Sequence, residues 1–277
     1  MYIVFFRMFC YDTRQRGKSM NKNITVTMIS IGCIFLCIGT FWDLEINTLF
    51  YDPQNRIGIF LQEGWPLLLK LILTLCFALL IDQNHPFFSI PWFICGLLFS
   101  QNVITLTESS WFSFISIGAI LTPLVVSIFI CYKLTTEQKN KLRPYIINYL
   151  QLFFTVLIVI TLFKVLWGRI RFRDMQQASQ FCVWYLPCHK GGFSFPSGHT
   201  SSFTCSLLYL LSTPLVQKHK LSLSIIVCTS IFLMMASRIV MGAHFLSDTA
   251  AGMMIALVIW AFYDRRWKNK ISKRKHQ

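Results

Sequence analysis

Apolar residues in this chain come in runs of 15 to 23, separated by short polar segments. About 20 apolar residues cross a bilayer core as a helix, since every backbone polar group must there be bonded internally. The pattern therefore predicts an all-α, polytopic membrane helix bundle. The first runs are Ile24–Trp42, Trp65–Ile81, Phe87–Leu106 and Trp111–Tyr132. Tyr145–Trp167, Ser201–Leu215, Leu221–Ser237 and His244–Tyr263 follow. Asp43–Gly64 reads as an acidic, turn-rich loop broken at Asp52-Pro53, and 168–199 as a polar loop. Lys70, near the start of its run, is placed to snorkel to the interface.

Composition agrees. Of 277 residues, 55% are hydrophobic and 13% charged, where a soluble domain carries about a quarter. The length leaves no room for a large soluble module beside the spans. Residues 1–23 are expected to be a cytoplasmic segment, with 1–19 an extension of little structural weight. An apolar scrap there precedes the basic residues, the reverse of a signal peptide. The further divisions expected are N-terminal membrane helices over 24–144, a catalytic core over 145–265 and a basic cytoplasmic tail over 266–277.

The net charge of +15 raises nucleic acid as a partner, but Lys and Arg cluster between apolar runs and at the chain ends. That is positive-inside patterning, and no nucleic-acid partner is expected. The same rule bears on Phe87–Leu106, which Pro91, Ser100, Gln101 and Asn102 interrupt. If it crosses, eight helices result and eighteen of the 26 Lys/Arg fall on one side with both termini. If it does not, six or seven helices remain and the basic N-terminus lies opposite the other basic loops. The rule favours eight, with both ends cytoplasmic and the polar 168–199 loop on the extracytoplasmic face.

Three polar blocks sit at span edges on that face. In the first, Lys164 is followed after six residues by Arg171, with Arg169 and Arg173 beside it. Four cations here could anchor an interface, but they lie on the side where positive charge is disfavoured, which points to use. Guanidinium groups grip phosphate oxygens bidentately and Lys adds a point charge. The second block is Pro196-Ser197-Gly198-His199. It serves as an ordinary turn and helix start; it also offers a hydroxyl, a close backbone approach, free N–H groups for an anion and an imidazole. The third is Ser237-Arg238, five residues, His244, three residues, Asp248. On a helix His244 and Asp248 share a face, so the carboxylate can fix the imidazole tautomer, or the pair serves packing alone.

Together these blocks resemble the signature of the type 2 phosphatidic acid phosphatase superfamily of integral-membrane lipid phosphatases. That signature reads Lys, six residues, Arg-Pro; then Pro-Ser-Gly-His; then Ser-Arg, five residues, His, three residues, Asp. The second and third blocks match throughout, and the first departs once, with Phe172 in place of Pro. The resemblance covers about residues 145–265. Asp43-Leu44 and Leu49 to Pro53 are also similar to the first outer loop of bacterial members, including lipid A phosphatase-like ones.

The resemblance implies that Lys164, Arg171, Ser197, Gly198 and Arg238 hold phosphate oxygens. It implies that His244 attacks phosphorus to form a phosphohistidine, that Asp248 orients it, and that His199 protonates the leaving oxygen and later activates water. It implies no metal and no other cofactor. The expected protein is a phosphohydrolase in a bacterial cytoplasmic membrane, its site facing outward, its partners membrane lipids and a lipid phosphate or diphosphate substrate. Undecaprenyl diphosphate, a lipid A phosphate, phosphatidylglycerol phosphate and phosphatidic acid all fit. The alternatives are a lipid phosphotransferase and a non-catalytic lipid-phosphate binder or transporter. Cys182 and Cys188 share the 168–199 loop. In an oxidising space they either bridge or remain two thiols.

Overall fold

Eight α-helices, and no strand, form among the described residues of the computed structural model, which are 22–82, 85–106, 112–213 and 220–274. The expectation for residues 1–19 lies outside these. The helices are α1 (Lys22–Phe50), α2 (Arg56–Leu80), α3 (Ser89–Leu106), α4 (Phe112–Lys133), α5 (Thr136–Trp167), α6 (Gly198–Ser212), α7 (Lys220–Val240) and α8 (Leu246–Arg274). Of these, α1, α2, α5, α7 and α8 are long and apolar enough to cross a membrane. Helix α6 has only 15 residues, about 22 Å at 1.5 Å per residue. The fold is thus the all-α polytopic membrane bundle that the apolar runs dictate.

The expected loop from Asp43 to Gly64 is a correction. Helix α1 runs through Asp43 to Phe50, with non-helical angles at Trp42 (φ −130°, ψ 15°) where its axis kinks. Asp43 and Asn47 carry loop chemistry yet are 1% and 0% exposed. They are tolerated because their partners lie inside the protein. Asn47 Nδ2 donates to the carbonyls of Ile239 and His244, each at 3.2 Å. Asp43 accepts from Arg169 and Ser247. The turn forms only at 51–55, around the expected Asp52-Pro53 breaker.

Two compact units divide the chain. The first comprises the described residues up to Gln62 together with those from Gln151 onward. In it α1 packs on α7 and α8, and α6 packs on both α7 and α8. Its centre is closed by Leu208, Leu211, Ile231, Met234, Met253 and Leu257, all nearly inaccessible. Lipid is as apolar as these side chains, so close packing and buried hydrogen bonds hold the helices together. Trp260 Nε1 donates to Ser212 Oγ at 3.0 Å, and Thr155 Oγ1 lies 2.9 Å from the Tyr263 hydroxyl. Helix α8 comes close to the start of α6 at Gly252, where a Cβ would sit 2.5 Å from the carbonyl oxygen of Ser197.

The second unit, Glu63–Leu150, packs α3 against α4. Trp92 Nε1 donates to Ser127 Oγ at 2.8 Å, and Arg143 pairs with Asp82. Lys70 does not simply snorkel: its ammonium donates to the Leu98 carbonyl at 3.1 Å.

Candidate active site

Helix α5 delivers Lys164 in its last turn and stops at Gly168, whose φ of +59° reverses the chain and whose N–H closes on the Lys164 carbonyl at 3.1 Å. The segment that follows is folded back on the helix end. Cys188 and His189 N–H groups donate to the Trp167 carbonyl at 2.7 and 2.9 Å, and Ser194 N–H to the Arg169 carbonyl at 2.8 Å. Trp167 and Trp184 flank Phe195, with ring centroids 5.3 and 6.2 Å away. Cys182 and Cys188 are joined in a disulfide, Cα to Cα 5.9 Å, so of the two expectations the bridge is the one present.

Beyond this loop Ser197 caps α6. Its hydroxyl accepts from Thr200 Oγ1 at 3.0 Å, and its N–H donates to the Asp248 carbonyl at 2.9 Å. Gly198 then opens the helix, three residues earlier than the apolar pattern suggests, because the cap supplies the turn. Lys164 reaches the same place: its ammonium donates to the Phe193 carbonyl at 2.6 Å and passes beside Gly198. A helix N-terminus with an ammonium over it suits an anion.

Arg238 lies near the end of α7 and is 1% exposed. Its guanidinium donates to Gln62 Oε1 at 3.2 Å, the Gly58 carbonyl at 3.1 Å and Ser237 Oγ at 3.2 Å. His199 Nε2 donates to the Gln62 carbonyl at 3.3 Å. Gln62 therefore carries both the second and the third block, a link that no motif reveals. Lys164, Arg238 and His244 all lie within electrostatic reach of His199, and Lys164 and Arg171 within that of His244. The blocks read from the sequence thus converge in space.

Arg171 is extended (φ −75°, ψ 151°) and leads into a 3-10 turn at Phe172–Asp174. An extended residue is what a following proline would impose, and the first position of such a turn is one that proline accepts. Phe172 keeps that path by ring contacts instead, with Tyr51 at 5.3 Å and Phe245 at 6.3 Å. The departure from proline leaves the backbone at Arg171 as proline would set it.

The relation between His244 and Asp248 differs from the expected shared helix face. His244 lies in the turn before α8, and its Nδ1 is 3.8 Å from Asp248 Oδ2, too far for a hydrogen bond. Its partner is the Ser194 carbonyl, at 2.7 Å. With Nδ1–H donated there, the lone pair sits on Nε2. Burial draws the His244 imidazole down to about 4, against the pull of Asp248, so the ring is neutral at neutral pH. Asp248 acts at one remove: its Oδ2 accepts from Ser194 Oγ at 2.5 Å and from Phe245 N–H at 2.9 Å.

Arg169, counted in the sequence with the cations of its block, is buried and pairs with the carboxylates of Asp248 and Asp43. Sequence reasoning missed Ser194, Gln62, Ser247 and Asp43 as supports of the site. Only Asp43 gave a signal, an acid at the end of an apolar run.

Comparison with known proteins bears on the same stretch. The profile of the PAP2 superfamily matches residues 145–271. Phosphatidylglycerophosphatase B of Bacillus subtilis (strain 168) is 32% identical over 90 residues, 31% of this chain and 44% of that protein. The match thus spans less than half of the relative's length. No solved structure matches the chain. The residues matched by the superfamily profile begin ahead of Lys164 and end beyond Asp248, so the stretch that is similar to the PAP2 superfamily encloses all three blocks.

Proposed function

We propose that this protein is a membrane phosphohydrolase that removes a phosphate from a lipid phosphate or diphosphate through a phosphohistidine. The observation that carries the reading is His244, buried and neutral with its Nδ1–H fixed on the Ser194 carbonyl, among Lys164, Arg171 and Arg238. His244 Nε2 attacks phosphorus. As the P–N bond forms, the bond from phosphorus to the lipid oxygen breaks, and His199 gives that oxygen a proton. His199 then takes a proton from water, hydroxide displaces His244, and inorganic phosphate leaves. Lys164, Arg171, Arg238, Ser197 and the N–H groups at Gly198 hold the non-bridging oxygens, where preorganised donors stabilise developing charge.

The lipid class is supported by the surroundings, since α5, α7 and α8, whose ends carry the site, are long and apolar enough to cross a membrane. Phosphatidylglycerol phosphate is the first substrate to test, given the name of the Bacillus relative; phosphatidic acid, undecaprenyl diphosphate and lipid A phosphates follow. The purified protein offered this panel should release phosphate from at least one lipid, with the rate unchanged within about twofold by chelator, since cations supply the charge neutralisation. No release from any lipid would leave the non-catalytic binder. Transfer of the label to a second lipid instead of water would favour the phosphotransferase. A rate that collapses in chelator and returns with a divalent ion would overturn metal independence.

The site is proposed to face outward from a bacterial cytoplasmic membrane, on the charge asymmetry of the chain. Single cysteines at Gln177 and at the exposed Arg266 should label with an impermeant reagent from outside and inside respectively. Labelling of both from the same side would refute this orientation.

A further inference from the structure

We infer that Arg169, held in place by Asp43, is a positioning residue that keeps Asp248 ionised and, through Ser194, aims His244, so that α1 supports the catalytic machinery. The inference rests on the phosphatase reading above and extends it to residues outside the three motif blocks.

Four of the five N–H donors of the Arg169 guanidinium group are engaged within the protein. Its Nε donates to the Cys182 carbonyl at 2.8 Å. Nη1 donates to Asp248 Oδ1 at 2.5 Å and Ser247 Oγ at 2.9 Å, and Nη2 to Asp43 Oδ2 at 2.9 Å. One face is covered by Phe245, 4.1 Å from ring centroid to guanidinium carbon, and Phe181 lies at 5.3 Å. The side chain is 1% exposed. A guanidinium so enclosed has no edge to offer a substrate phosphate, which separates Arg169 from Arg171 two residues on.

Arg169 also acts through its main chain. Its carbonyl accepts from Ser194 N–H at 2.8 Å, and Gly192 runs so close that a Cβ there would lie 2.3 Å from that oxygen. One residue therefore fixes Ser194 from its carbonyl and Asp248 from its side chain. Ser194 in turn accepts Nδ1–H of His244 and donates its hydroxyl to Asp248. The chain of contacts runs from Asp43 to Arg169 to Asp248 and Ser194 to His244.

The charges explain why the pair is needed. Asp248 is faced by Arg169 from the segment after α5, by Lys164 from α5, by His244 from the preceding turn and by Asp43 from α1. Asp43 is itself held by Ser247, whose N–H donates to Oδ1 at 3.0 Å and whose hydroxyl donates to Oδ2. Two buried carboxylates share one guanidinium. Without it, Asp248 keeps only the more loosely placed Lys164 as a cation, and it takes up a proton more readily. A protonated Asp248 holds less firmly the two groups that now donate to its Oδ2, the Ser194 hydroxyl and the Phe245 N–H, which belong to the residue that seats His244 and the residue next to it. Asp43 lies outside residues 145–271, so the domain that carries the motifs depends on a helix preceding it.

The test compares Arg169→Gln, Arg169→Lys and Asp43→Asn with wild type in the purified full chain. Arg169→Gln should lower kcat about 100-fold or more, leave KM within about threefold, and move the acid limb of kcat/KM to higher pH, since a carboxylate losing its cation binds protons more readily. Arg169→Lys should recover at least about tenfold over Arg169→Gln, and Asp43→Asn should lose less than about tenfold in kcat. A folded Arg169→Gln with raised KM and unchanged kcat would make Arg169 a phosphate ligand and overturn the inference. So would equal loss in both Arg169 variants with an unmoved acid limb, the mark of a merely structural role. If Arg169→Gln does not fold, the acid limb of Arg169→Lys decides on the same terms. Wild-type protein that releases phosphate from no lipid would instead sink the phosphatase reading. The His244 Nδ1–H resonance then decides: its loss in Arg169→Gln with retention in Arg169→Lys supports the pair, and an unchanged resonance in Arg169→Gln overturns it.

Discussion

Replacing His244 with Gln is expected to abolish phosphate release, by about 10⁴-fold or more in kcat, while the folded protein inserts and melts near the wild-type temperature. Gln is the informative choice because its amide can still donate to the Ser194 carbonyl that now takes Nδ1–H, so the turn before α8 keeps its anchor. What is lost is the lone pair on Nε2. No neighbouring group replaces it: Lys164 is engaged with the Phe193 carbonyl, and Arg238 with Gln62 and Gly58. His199→Gln should cost less on substrates with good leaving groups, which need no proton, and as much on a lipid alkoxide. Substantial turnover by folded His244→Gln protein would remove the phosphohistidine from the mechanism. Parallel losses for His199→Gln on both kinds of substrate would take the leaving-group proton away from His199.

The blocks were legible in the sequence because each keeps its chemistry within a dozen residues, at the edge of an apolar run. Lys164, Ser197, His199, Arg238 and His244 converge as their spacing and order suggest. The all-α class followed from the runs themselves. What was not legible is the frame that holds these residues. Asp43 meets Arg169 across 126 positions and Ser247 across 204. Read locally, an acidic stretch after an apolar run is a loop; only a distant cation and serine make it a buried helix. Ser194 gave no signal at all, since its main task is performed by a carbonyl that any residue has. His244 and Asp248 do face each other, at 3.8 Å, but not along one helix face. Spacing of four implies a face only inside a helix, and α8 begins at Leu246, after the histidine.

Gly252→Leu is expected to lower kcat/KM about 100-fold or more and to destabilise the bundle by roughly 1–3 kcal/mol, the usual range for overpacking. The argument is the contact between α8 and the cap of α6. A Cβ at Gly252 would sit 2.5 Å from Ser197 O and 3.3 Å from Ser197 N. These are backbone atoms, which cannot swing aside as a side-chain tip can. The cap must therefore move off α8, and the 2.9 Å bond from Ser197 N–H to the Asp248 carbonyl breaks as it does. Ser197 and Gly198 then leave the position that Lys164 reaches, so the anion cradle opens although no group proposed to touch substrate has changed. Gly252→Ala should show the same losses in weaker form, about tenfold in kcat/KM, because the first carbon already meets the carbonyl. Val258→Leu, on the exposed side of α8, should leave both activity and melting unchanged. Wild-type kcat/KM and melting temperature in Gly252→Ala would mean that α6 and α8 are free to separate at this point, and that the close approach does not set the position of Ser197.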